Sequence, residues 1–135
     1  MLAVTSYKRD FVENCRANVE RQLAAYRKLA ASAKKGEAAA FEGEFFNTMV
    51  LALDHFFLHR QRSLEGKDGN PLNEVRMLSN SILEDEGVLK ENSTIKYDPK
   101  TSVTRIGIGD EIVMDGQTFA RLADAFFNEI ERRYP

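Results

Sequence analysis

Residues 93–116 read STIKYDPKTSVTRIGIGDEIVMDG, and the way this stretch is folded decides the class of the whole chain. Apolar residues alternate with polar ones at Ile95 and Tyr97, at Ile106 and Ile108, and at Ile112 and Met114. Asp98–Pro99 and Gly109–Asp110 separate these pairs with residues that favour turns. A period of two is that of a half-buried strand, so the pattern predicts two or three short antiparallel strands, a β-meander over about residues 94–114.

Outward from this stretch the apolar spacing lengthens to three and four. Phe11, Cys15, Val19, Leu23, Tyr26 and Ala30 make one stripe, predicting a first helix over about 6–34 that stops at Gly36 after Lys34 and Lys35. Residues 37–62 continue as a second helix, with Phe45, Met49, Ala52, Leu53, Phe56 and Phe57 on one broad arc. Asn70 and Pro71 are a cap and a first-turn residue, predicting a third helix over about 71–85 with Leu72, Val75, Leu78 and Ile82 inward and Gly87 as its stop. Asp115 caps a last helix over about 116–133, where Met114 and Phe119 can form a staple. Together these elements predict a predominantly α-helical α+β fold in one globular domain, 1–135.

The chain has 135 residues, 43% hydrophobic and 30% charged, enough to bury roughly two-thirds of its unfolded surface in a core. Its 19 Lys and Arg against 21 Asp and Glu leave a formal charge of −2, with none of the basic excess that marks a nucleic-acid partner. A single cysteine, Cys15, excludes an intrachain disulfide, and its place on the first apolar stripe predicts a buried hydrophobe. The start MLAVTSYKRDF lacks the apolar run of a signal peptide, and FFNTMVLALDHFFL at 45–58 is too short and too interrupted to span a bilayer. The expectation is a cytoplasmic protein with no membrane partner.

Three patterns carry chemistry worth testing. EGKDGNPLNEVR at 65–76 invites an EF-hand alignment, but placing Asp68 and Asn70 at loop positions 3 and 5 puts Gly66, Pro71 and Met77 at positions 1, 6 and 12, which rejects it. The same stretch lacks the phosphate-loop sequence, although Arg60, Arg62, Lys67 and Arg76 surround the start of the third helix and form a candidate site for a small anionic ligand. The plainer expectation is that Arg60, Arg62 and Glu74 complement helix dipoles. His55 and His59 are spaced by four, the separation at which two rings share a helix face, and with Asp54 they form a candidate metal site. That spacing is neither HExxH nor the Glu-x-x-His of di-iron bundles. No motif identifies a cofactor, and no nucleophile with its base can be picked out.

Phe45, Phe46, Phe56 and Phe57 give the second helix more apolar width than one partner helix covers. The sequence reading is therefore a non-catalytic binding or interaction module, self-associating as a homodimer through the Phe45–Phe57 face. The alternative is a metal-dependent or anion-handling enzyme with a site around His55, His59 and the 60–76 segment.

Overall fold

The structure, a computed structural model, describes residues 3–34 and 36–135. It contains five helices: α1 (Arg9–Ser32), α2 (Glu37–Phe56), α3 (Arg62–Glu65), α4 (Pro71–Glu84) and α5 (Gly116–Arg133). Among the described residues there is no β-strand, so the expected α+β class is corrected to all-α.

The reason lies in the acceptors scattered through 92–110. The side chain of Asn92 accepts from the N–H groups of Thr94 and Ile95, Asp98 from Lys100, Ser102 from Arg105, and Asp110 from Gly107. Short polar side chains thereby take the amides that a ladder would need. All but one of the alternating apolar residues still turn inward: Ile106, Ile112 and Met114 are buried and Ile95 and Tyr97 half-buried, whereas Ile108 is exposed. Antiparallel contact survives only as an isolated bridge between Val88 and Glu111, flanked by hydrogen bonds from Leu89 N–H to the Asp110 carbonyl and from Ile112 N–H to the Gly87 carbonyl.

α4 is the centre of the fold. Every residue from Leu72 to Ser79 is buried, which a helix achieves only when it is covered on all sides. α2 and α5 pack against it, and α1 lies across α5 and α2. The irregular chain between α4 and α5 is fastened to α4: Glu74 accepts from Val103 N–H and Thr104 N–H, both at 2.9 Å, and from the Thr104 hydroxyl at 2.6 Å. Glu74, expected to complement a helix dipole, is instead a buried clamp for this segment.

Local signals fix the helix ends. Asn70 Oδ1 accepts from Leu72 N–H at 2.9 Å and Asp115 Oδ1 from Thr118 N–H at 2.8 Å, as the caps predict. α4 stops at a turn in which Gly87, at φ +78°, donates to the Ser81 carbonyl six residues back. Gly36 plays another part than the one expected: α1 ends at Ser32 with an extended Ala33, and Gly36, at φ +95°, opens α2. Lys35, expected at that stop, lies outside the described residues. α2 is also shorter than expected, ending at Phe56, and the chain turns so that the Val4 N–H donates to the His59 carbonyl and the Gln61 N–H donates to the Val4 carbonyl. No helix among the described residues is long and apolar enough to cross a membrane.

Candidate functional site

The turn between α2 and α4 carries the most concentrated polar chemistry of the chain. α3 is a single turn, and its last residue, Glu65, points into the protein with 2% of its surface exposed. Two arginines from either side close on its carboxylate: Arg60 Nε at 2.9 Å and Arg76 Nη2 at 2.6 Å on Oε1, with Arg76 Nε at 3.0 Å on Oε2. Asn73 Nδ2 adds a fourth donor at 2.8 Å. Arg60 continues the network by donating to Asp54 Oδ1 at 3.0 Å and to the Phe57 carbonyl at 3.1 Å, while its guanidinium lies over the Phe126 ring. Two cations thus meet two carboxylates in the interior, and the cluster is neutral as a whole.

Electrostatics follow from this packing. Burial by itself would raise the Glu65 carboxyl, but hydrogen bonds and charge from Arg76, the charge of Arg60 and the Asn73 amide outweigh it and hold Glu65 below its ordinary range. Burial likewise opposes the charge on Arg76, and Glu65 reverses the balance and raises it. Tyr134 closes the cluster, donating to the Gln61 carbonyl at 2.8 Å, and burial pushes its hydroxyl up to about 12. Arg133 reaches back from α5 to cap the Glu65 and Leu64 carbonyls at 3.0 and 3.3 Å.

The structure separates the four cations expected around an anion. Arg60 and Arg76 meet, but on Glu65; Arg62 and Lys67 face solvent. Nor do His55, His59 and Asp54 converge. α2 ends between the two histidines, so His59 is off the helix, and the Asp54 carboxylate is taken by Arg60. Both imidazoles border a shallow hollow of about 220 Å³ with Phe11, Phe56 and Leu58. No group of three or more His, Cys, Asp or Glu side chains able to hold a metal is found among the described residues. Cys15 is buried, and burial raises its thiol, which suits a packing role.

Glu65, Asn73 and Arg133 are the members of the network that sequence reasoning missed. Asn73 stands three residues before Arg76 on α4, but Glu65 and Arg133 share no helix with either arginine, and the signal for Glu65 was an acid flanked by arginines before the Gly66 turn. Asn70 ties this turn together as well, since its Nδ2 donates to the Glu65 carbonyl at 2.7 Å. Asn70→Ala removes both the cap and that bond and is expected to cost about 1–2 kcal/mol in urea unfolding. Asn70→Asp, which keeps the acceptor alone, is expected to fall between it and the wild type.

A wide open surface lies elsewhere. A groove of about 520 Å³ is lined by Leu51, Ala52 and Leu58 on the α2 side and by Ser79 and Leu83 of α4. Leu83 is 69% exposed and Leu58 48%, while Ser79 is buried with a hydroxyl that finds no hydrogen-bond partner among the described residues. The phenylalanines expected to form a docking face are mostly turned away from it: Phe46 and Phe57 are fully buried in the chain's own core, and Phe45 and Phe56 are half-buried. No known protein family, curated protein or solved structure matches this chain.

Proposed function

We propose that this chain is a non-catalytic interaction module that self-associates through the outer face of α2 and the groove beside it. The observation that carries the reading is the groove itself, an open apolar trough with projecting leucines at its rim and the small residues Ala52 and Ser79 in its lining. A surface with both knobs and a hollow is self-complementary, which is what a two-fold interface requires. The buried arginines and acids support the same reading, because their hydrogen-bonding capacity is spent on one another and on the backbone. The width of α2 noted in the sequence is explained by its central neighbours, and the surface left to a partner is the opposite strip.

Light scattering over a concentration series tests this. The wild-type chain is expected to reach the mass of a dimer, and Leu58→Glu with Leu83→Glu is expected to weaken association at least about tenfold, since each substitution enters the interface twice. Circular dichroism should show the double variant fully helical. A wild-type monomer at the highest concentrations sunk into the assay removes the proposal.

A further inference from the structure

Tyr7, on the segment that leads into α1, is the one residue common to two separate hollows. One, of about 370 Å³, lies towards Val12, Glu131 and Tyr134; the other, of about 220 Å³, lies towards Phe11, Phe56 and His59. The Tyr7 ring packs edge-on against the fully buried Phe57, 4.9 Å between centroids, and lies 5.8 Å from the ring of Tyr134. Its hydroxyl is buried yet finds no hydrogen-bond partner among the described residues, whereas Tyr134 spends its own on the Gln61 carbonyl. A buried hydroxyl without a partner works against the packing that buries it, because water satisfies it in an open state. Tyr7 is held shut by its ring and pushed open by its hydroxyl.

The rest of the segment is fastened at few points. Val4 N–H donates to the His59 carbonyl and Gln61 N–H to the Val4 carbonyl, both at 2.8 Å. Ser6 Oγ donates to the Pro135 carbonyl at 2.8 Å, and Tyr7 N–H to the Tyr134 carbonyl at 3.2 Å. Ala3, Thr5, Ser6 and Lys8 are exposed, and the isolated bridge of Val4 with Arg60 is not continued into a ladder. α1 begins at Arg9 after an extended Lys8, with no side-chain cap across the joint. The chain can therefore swivel at Lys8 without breaking a capping bond.

We propose that residues 3–8 form a strap that opens as one unit about Lys8, with Tyr7 as its latch, while the helices stay folded. Closed, the strap keeps the two hollows apart and lies along Arg60, the arginine that joins Glu65 to the end of α2. Open, it joins the hollows over the Phe57 ring and gives water a path to the buried ion network. Segments held by few apolar contacts and by backbone bonds near solvent are those that open locally, well below the free energy of global unfolding.

Amide hydrogen exchange on the intact chain tests this. The N–H groups of Val4, Tyr7 and Gln61 report on the strap through the bonds they make, and Leu78 N–H, in the buried middle of α4, reports on the core. In the wild-type chain the three are expected to be protected alike, within about threefold, and at least about tenfold less than Leu78. Ser6→Ala removes the bond to Pro135 alone, yet it is expected to speed exchange at Val4 and Gln61 as much as at Tyr7, by about threefold. Tyr7→Phe keeps the ring and removes the unpaired hydroxyl, and it is expected to slow all three by about fivefold. Protection that falls stepwise from Tyr7 to Val4, or a Ser6→Ala effect confined to Tyr7, would mean simple fraying and overturns the unit. Exchange of all three at the rate of Leu78 overturns local opening altogether. Faster exchange in Tyr7→Phe would show that the hydroxyl holds the strap closed, and the latch as described is then wrong.

Discussion

Glu65→Gln is expected to destabilise the chain by about 3–5 kcal/mol, the cost of leaving two buried cations with Asp54 as the one carboxylate between them. That is a large share of the about 5–15 kcal/mol that holds a typical domain together, and it corresponds to a fall in melting temperature of roughly 10 °C or more. The size follows from the geometry. Glutamine has the shape of glutamate, but its NH2 group would confront a guanidinium or the Asn73 amide, where the carboxylate now accepts from four donor nitrogens of three side chains. Arg60 has no exposed side-chain surface through which water could compensate. The effect has a pH signature of definite sign. Because the folded chain holds the Glu65 carboxyl below its ordinary range, its stabilisation is fully present above the unfolded-state value near about 4.3 and is lost as pH falls through the folded value. Asp68, Asp115 and Glu129 are shifted in the same direction and contribute to the same acid loss, so the informative quantity is the difference between wild type and variant. That difference is expected to be constant at neutral pH and to shrink on acidification below about pH 4.5. Unfolding curves that stay parallel down to the acid limit would show that Glu65 is not the anion at the centre of the network.

The sequence made the long helices legible because each carries its own proof. Cys15, Val19 and Leu23 repeat at the helical period, and Asn70–Pro71 and Asp115 state where helices begin; the same residues are buried or capping in the structure. What misled was a local pattern answered by distant partners. Ile106, Ile112 and Met114 alternate as a strand would, and they are buried as a strand's inner face would be, yet Glu74, some thirty residues away, holds the backbone at Val103 and Thr104. Alternation records which residues face inward and says nothing of whether the amides between them find a ladder. The ion network was hidden for the related reason that burial of a charge depends on where its partner comes from. Arg60, Glu65 and Arg76 lie on three different segments, and only the turn at Gly66 brings them together.

That turn also links the network to the proposed interface. Arg60 grips Asp54 in the last turn of α2 and the Phe57 carbonyl beyond it, so the same cation that neutralises Glu65 fixes how α2 ends. The groove wall formed by Leu51 and Leu58 therefore stands on a rigid base, and a variant that loosens Glu65 should weaken self-association as a secondary consequence of instability. Leu58→Glu with Leu83→Glu lies outside the network and separates the two effects.

Gly69→Ala is expected to be nearly as damaging as the loss of Glu65, at about 3 kcal/mol or more, and for a different reason. Gly69 sits at φ +87°, in the left-handed region where an L side chain costs about 1–2 kcal/mol. The larger part comes from the chain above it: a Cβ built there runs into the Lys96 carbonyl oxygen and crowds its carbonyl carbon. Neither side can yield cheaply. The Lys96 N–H donates to the Lys67 carbonyl at 2.9 Å, and the Gly69 N–H donates to Asn73 Oδ1 at 3.0 Å, so the turn and the covering segment are pinned on each other. Gly109 provides the control, since it has a φ of +88° but nothing within 4 Å of an added Cβ. Gly109→Ala should show the conformational strain alone, about 1–2 kcal/mol, and the excess at position 69 is the value of the close approach. Hydrogen exchange should place the damage: the Lys96 amide is expected to lose protection in Gly69→Ala while the amides of α5 change only through global stability. Equal losses at positions 69 and 109 would mean that the segment from Ile95 to Tyr97 does not rest on this turn, and the cover over α4 would then have to be held by Glu74 alone.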